Sequence, residues 1–347
     1  MRDEFATGVA SLRCAALLLL ALSIGVGAQP TTLARPIIVV DGVVAQRSVG
    51  QWLARMHEAS HGRAYVGTFV VAAAGSLSSA RIWHVCDGQQ QVERVESLTG
   101  APRSTFRRND QVFTFLSERR VVVAERRESL GPLSGFNLSN EAEIAERYGV
   151  KVAGHGRVAG FDADVLELQP RDDWRFGYRV WSEARTGLVV KLQTLDGSGK
   201  VLEQAAFSEL QLDAPVSMDQ LTAMMKNTHG YKIEKPVALE TTASAEGWAV
   251  RNPVPGFKPG SCFRRVAGST AEAGTRNTMQ CVFSDGLASV SLFVETLDPL
   301  HHQRAGLFAM GATHTLAKRM GDWWVTVVGE VPVRTLIAFA QGLERSR

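Results

Sequence analysis

The segment His57-Glu58-Ala59-Ser60-His61 has the residue types of a zinc hydrolase site at the right spacing. Two histidines four positions apart on a helix share one face and can both reach a zinc ion, with the intervening glutamate as general base. The third ligand is the difficulty. Glu93 and Glu96 qualify only by distance along the chain, and no second helix presents them. A structural reading suits the segment better: Val49, Leu53, Met56 and Ser60 make the inward stripe, leaving His57 on its flank and His61 turned toward solvent.

The remaining chemical candidates fail on local context. Gly154-His155-Gly156-Arg157-Val158-Ala159-Gly160 lacks the dinucleotide-binding spacing, and Phe161 to Gln169 then alternates like a strand where a helix is required. These glycines read as turn and bulge positions. Ser134, within Gly131-Pro132-Leu133-Ser134-Gly135, lacks the flanking glycines of a nucleophile elbow. His301-His302 reads as a solvated pair after Pro299, and no carboxylates are spaced as an acid/base couple. The sequence therefore gives no catalytic, cofactor or metal site, and binding is favoured over catalysis.

Aromatic residues offer a binding lead. Phe113 and Phe115 share strand parity, as do Trp174, Phe176 and Tyr178. On a curved sheet they suit an apolar surface for an acyl chain or a hydrophobic polypeptide. The same pattern fits a core packed against helices.

The elements that must position these residues are mostly short strands. Trp174 to Leu212 reads as three antiparallel strands, with Arg175 and Arg179 on the face opposite Trp174, Phe176 and Tyr178, and with turns at Thr186-Gly187 and Asp196-Gly197-Ser198-Gly199. Ser48-Val49-Gly50-Gln51 is a capping-box signature for a helix ending near Gly62. Strands follow at residues 65–71, 80–85, 91–97, 104–108, 112–116 and 120–124, then an irregular loop at 127–136 and a short helix at 142–148. The fold class expected is mainly β with α: a large curved antiparallel half-barrel over residues 44–228, followed by a smaller α+β domain over 247–343. Met218 to Asn227 is helical, and 229–246 reads as the linker. In the second domain, strands fit 263–266, 279–283, 288–295, 313–319 and 323–328. Pro332 suits an early helical position, ahead of the apolar stripe Leu336, Phe339, Ala340 and Leu343.

Residues 1–28 read as a cleaved export signal: Arg2 and Arg13 flank the start, an apolar run from Ala15 to Leu22 follows, and Val26-Gly27-Ala28 supplies small residues for cleavage. Cys14 leaves with it. An oxidising compartment then favours a disulfide between Cys262 and Cys281, leaving Cys86 as a small buried hydrophobe. No later segment approaches the ~18 consecutive apolar residues of a membrane span. The net charge of +3 is nearly neutral, with a mild basic excess after Lys226, and nothing resembles a nucleic-acid-binding tract.

Several ordered fragments together resemble the MucB/RseB family. They are Trp52-Leu53-Ala54-Arg55-Met56, Tyr65-Val66-Gly67-Thr68-Phe69-Val70, Gly156-Arg157-Val158-Ala159-Gly160, Tyr178-Arg179-Val180-Trp181, Thr186-Gly187-Leu188, Leu202-Glu203-Gln204 and Gly321-Asp322-Trp323-Trp324-Val325-Thr326-Val327-Val328-Gly329-Glu330-Val331-Pro332. The resemblance implies a half-barrel like those of lipoprotein carriers and a smaller mixed domain. It further implies a periplasmic regulator that binds the periplasmic part of a membrane-spanning anti-sigma factor, protects it from regulated proteolysis, and releases it when lipopolysaccharide or lipoprotein acyl chains bind. Homo-oligomers stay open. A lipid or lipoprotein carrier is the alternative, for which residues 248–343 have no evident use; a zinc metalloprotease survives only through His57, Glu58 and His61.

Overall fold

A computed structural model describes residues 47–126, 141–265 and 278–346. The signal expected over 1–28, the loop at 127–136 and Ser134 lie outside these residues.

Helix α1 (Val49–Gly62) begins at the expected capping box. The Ser48 hydroxyl accepts from the Gln51 N–H at 3.2 Å, and the Gln51 side chain accepts from the Ser48 N–H at 2.8 Å. Its buried stripe is Trp52, Leu53, Met56 and Ala59, so Ala59 takes the inward place expected for Ser60. Strands follow in chain order: β1 (Tyr65–Ala73), β2 (Ser76–Cys86), β3 (Gln91–Ser97), β4 (Arg103–Arg108), β5 (Gln111–Leu116) and β6 (Val121–Arg126). After α2 (Glu141–Arg147) come β7 (Tyr148–Val158), β8 (Phe161–Pro170), β9 (Gly177–Glu183), β10 (Val189–Leu195) and β11 (Val201–Leu212), then α3 (Met218–Lys226) and β12 (Lys232–Glu234).

These twelve strands form one sheet in the order β12-β6-β5-β4-β3-β2-β1-β11-β10-β9-β8-β7. Strand β1 is the seam, pairing with β2 on one side and β11 on the other, so two meanders meet along it. All pairings are antiparallel except β12 with β6. The glycine-rich stretch 154–160 is the end of β7 and its turn into β8. A bulge falls between Val152 and Gly154, and Ala159 and Gly160 both take left-handed conformations, with φ of 49° and 87°.

The two long helices of this half of the chain cover opposite faces. Trp52, Leu53 and Met56 of α1 pack with Leu166, Leu168, Tyr178, Val180 and Leu192 over β8–β10. Met225 of α3 packs with Phe106, Phe115 and Val122 over β4–β6, on the other side of the sheet.

A second sheet has seven strands in the order β13-β15-β16-β17-β20-β19-β18. These are β13 (Ala238–Thr241), β15 (Lys258–Arg265), β16 (Thr278–Ser284), β17 (Ser289–Thr296), β18 (Gly306–Met310), β19 (Thr313–Met320) and β20 (Trp323–Gly329). A separate pair joins β14 (Trp248–Val250) to β21 (Leu343–Arg345). Helix α4 (Val333–Gly342) packs Leu336, Phe339 and Ala340 into a core with Val290, Leu292, Val325 and Val327; Pro332 is its N-cap rather than its first residue. Segment 229–246, read as a linker, in fact carries β12 and β13, one strand in each sheet. Both are too short to show an alternating pattern. Among the described residues no helix is long and apolar enough to cross a membrane.

Candidate functional site

The five sequence-selected aromatics do not share a surface in this structure. Phe113 and Phe115 lie on the α3 side of the first sheet, where Phe115 meets Phe106 and Tyr231 edge-on at 5.5 and 5.3 Å. Tyr178 projects from the opposite face beneath α1. Trp174 and Phe176 precede β9 in a bend and turn to the second sheet: Trp174 packs against that sheet's core, and Phe176 meets His314 at 5.7 Å. Phe113 and Trp174 are half-buried, and the other three are buried.

A more open apolar surface lies on the α1 side of β1–β6. Gly67, Ile82, Val95, Thr105, Thr114 and Val123 are successive register neighbours, so their Cα atoms form one row across the sheet on the same face. All except Gly67 are half-buried. Helix α1 ends beside this row, where Ala59 packs with Tyr65. The adjacent row holds Tyr65, His84, Glu93 and Arg107. His84 Nδ1 lies 3.0 Å from Glu93 Oε1, its ring stacks on Tyr65 at 4.8 Å, and Arg107 lies 3.9 Å from Glu93. Burial, with the Glu93 charge second, pushes the Tyr65 hydroxyl far above its ordinary value. This face thus presents an apolar strip beside a buried, charge-compensated polar strip.

The second notable constellation is the junction between the sheets. Arg175, expected to point outward, is fully buried. Its Nη1 lies 3.3 Å from Asp285 Oδ2, its Nε 3.2 Å from Asp172 Oδ1, and its Nη2 donates to the Pro255 carbonyl at 2.7 Å. Asp285 sits in the β16–β17 turn; its Oδ1 accepts from the N–H groups of Leu287 and Ala288, and its Oδ2 from the Tyr148 hydroxyl at 3.2 Å. The hydroxyls of Tyr148 and Tyr178 stay protonated far above the usual range, burial being the main cause. Thr335 donates to the Trp174 carbonyl at 2.7 Å, and Arg334 pairs with Asp173. Alternation misled here because Arg175 precedes the strand, so strand parity does not apply to it. The Asp172-Asp173-Trp174-Arg175 cluster was the available signal. Beside the junction, Trp174, Val254, Pro255, Ala338 and Gly342 help line an open groove of about 320 Å³.

The histidine candidates occupy structural places. His61 Nδ1 bonds the His57 carbonyl at 2.9 Å within α1, and Glu58 is exposed. His302, expected to be solvated, stacks on Trp324 at 5.0 Å and lies 3.1 Å from Glu295; His301 pairs with Asp298. The described residues contain no group of three or more His, Cys, Asp or Glu placed to hold a metal ion. Cys262 and Cys281 face each other in β15 and β16 and are joined as a disulfide, while Cys86 is a half-buried free thiol.

Comparisons with known proteins cover most of the chain. Residues 48–225 match the MucB/RseB N-terminal domain and residues 242–344 the MucB/RseB C-terminal domain. The sigma factor AlgU regulatory protein MucB of Pseudomonas aeruginosa is 31% identical over 292 residues, covering 82% of this chain and 87% of that protein. The sigma-E factor regulatory protein RseB of Escherichia coli is 21% identical over 298 residues, covering 85% and 90% respectively. A crystal structure of MucB in complex with MucA(peri) superimposes with a TM-score of 0.64 at 27% identity, covering 86% of this chain and 99% of that one. The protein belongs to the MucB/RseB family of periplasmic, non-enzymatic regulators of a sigma factor.

Proposed function

We propose that this protein binds the periplasmic part of a membrane-spanning anti-sigma factor, shields it from regulated proteolysis, and lets it go when a lipidic or lipoprotein ligand binds. The observation that carries the reading is the likeness over 86% of the chain to a MucB structure solved with MucA(peri) bound.

Residues 44–228 are assigned to ligand sensing and 247–343 to holding the anti-sigma factor. The apolar row Ile82, Val95, Thr105, Thr114 and Val123 supports the first assignment, because it offers half-buried surface without unpacking the core. Of the five aromatics, Phe113 and Trp174 are the ones a ligand reaches with least rearrangement. Ligand acts on the partner only if its binding energy differs between two arrangements of the sheets. The Arg175–Asp285 junction is the contact such a change must alter.

The purified mature protein is expected to slow cleavage of the anti-sigma factor's periplasmic segment by its regulated protease. An acylated ligand is expected to restore cleavage. Unchanged cleavage at saturating, demonstrably folded protein would overturn the reading.

A further inference from the structure

The two sheets meet at a second place besides the Arg175–Asp285 pair. In the first sheet Tyr178, Thr194, Glu203 and Ala73 are successive register neighbours across β9, β10, β11 and β1. The β18–β19 turn of the second sheet presses onto the end of that row. Ala312, fully buried, donates its N–H to Glu203 Oε2 at 3.4 Å. Gly311 holds a φ of 62°, and a Cβ there would stand 2.7 Å from Glu203 Oε2 and 2.8 Å from the Ala73 Cβ, so the turn admits no larger residue. Glu330, between β20 and α4, brings a second carboxyl to the same contact, close enough to feel the Glu203 charge and to act on the Tyr178 hydroxyl. The surrounding groups supply no cation: among the described residues neither carboxylate has a basic partner. Arg179, one residue on from Tyr178, points to the opposite face and pairs with Glu167. His314 of β19 gives its Nδ1 to the Val331 carbonyl at 2.7 Å. Arg175 is held by Asp172 and Asp285, and the Tyr148 and Tyr178 hydroxyls stay protonated. The Arg175–Asp285 contact thus joins the sheets by opposite charges, whereas the Glu203–Glu330 contact sets like charges against each other.

We propose that the Glu203–Glu330 contact is a proton-operated latch between the two sheets, closed while either acid carries a proton and loosened when both are ionised. Two ionised carboxylates in a partly buried contact repel, and neither regains its water while the turn stays seated. A proton on either one removes the repulsion and leaves the Ala312 bond in place. Burial holds both carboxyls above the ordinary glutamate value, with the Glu203 charge adding to the effect on Glu330. The closed arrangement therefore binds these protons more tightly than the open one: acid favours it, and it is lost as pH rises through the raised values. If release of the anti-sigma partner follows the arrangement of the sheets, the latch makes that release depend on pH, a consequence that rests on the function proposed above.

Spin labels on Leu98→Cys beside the first sheet and Leu307→Cys in β18, both exposed positions, report the separation of the sheets in a Cys86→Ser background. Raising the pH through and above the ordinary glutamate range should lengthen that separation, the closed-to-open ratio falling by up to about tenfold per pH unit. Glu203→Gln and Glu330→Gln keep the shape of the protonated acids. Each alone should remove most of the shift, and the two together should hold the short separation at every pH. Glu209→Gln, exposed on the same strand, should leave the shift intact. A parent whose separation ignores pH overturns the proposal, as does a folded double variant that keeps the shift. Where the double variant does not fold, Glu330→Gln alone decides in the same way. A pH-dependent separation in a protein that fails to bind the anti-sigma segment at any pH supports the latch and counts against the function proposed above.

Discussion

The Arg175 guanidinium lies 3.3 Å from the Asp285 carboxylate, and neither side chain reaches solvent. One residue belongs to the bend before β9 and the other to the β16–β17 turn, so the pair ties the two sheets together. Removing one partner leaves a buried charge uncompensated. Arg175→Met should therefore cost about 3–5 kcal/mol in urea denaturation. Combining Arg175→Met with Asp285→Asn, which removes the second charge while keeping an acceptor for the Leu287 and Ala288 N–H groups, should recover a large part of that loss, because both charge-desolvation costs then disappear. A single replacement that leaves the midpoint unchanged would show that the pair does not tie the sheets.

The Cys262–Cys281 bridge closes a loop with a sequence separation of 19 between neighbouring strands. Loop-closure entropy puts its contribution at about 3 kcal/mol. Replacing both cysteines by serine should lower stability by that order and leave the free Cys86 thiol as the sole cysteine among the described residues. Thiol titration before and after denaturation, paired with thermal melts, checks both statements. Equal melting of the oxidised and reduced protein would contradict them.

Glu330 supplies a pH dependence. Burial, and then the charge of Glu203, holds its carboxyl above the ordinary glutamate value, and burial does the same to Glu203 against the opposing Ala312 hydrogen bond. A raised folded-state value means the native protein keeps these protons more tightly than the unfolded chain. Their contribution to stability is full below the unfolded glutamate pKa and is lost as pH rises through the folded-state values. Glu330→Gln should consequently be more stable than the parent at neutral pH, with a flatter stability curve above the ordinary glutamate range. Melts at a series of pH values that run parallel for parent and variant would refute this account.

Strand positions were legible in the sequence because the first sheet alternates over long runs. Gln91–Ser97 coincides with the expected strand, and α1 starts at the expected capping box. The Cys262–Cys281 bridge was legible from compartment and strand placement. What stayed hidden depends on contacts between distant segments. Arg175 meets Asp285 only after both sheets fold, and β12 and β13 are too short for periodicity to register. Parity also could not say which side of the sheet each aromatic set takes. Phe113 and Phe115 point to α3 while Tyr178 points to α1, a distinction fixed by which helix covers which half.

That distinction yields a discriminating test of the proposed sensing surface. Val95 sits mid-row between Ile82 and Thr105, half-buried, and clear of the clusters packed under α1 and α3. Val95→Lys places a charge there with little loss of core packing. If an acyl chain lies along the row, displacing about three of its methylenes costs about 2 kcal/mol, a roughly thirtyfold weaker response to ligand. Protection of the anti-sigma segment without ligand should be unchanged. Phe115→Ala, by contrast, removes a ring packed between Phe106 and Tyr231 and should cost about 3–5 kcal/mol of stability. Titrating an acylated ligand against the cleavage rate separates the two. If Val95→Lys responds to ligand like the parent, the row is not the acyl-binding surface, which leaves the half-buried Phe113 and Trp174 as the apolar side chains a ligand can reach.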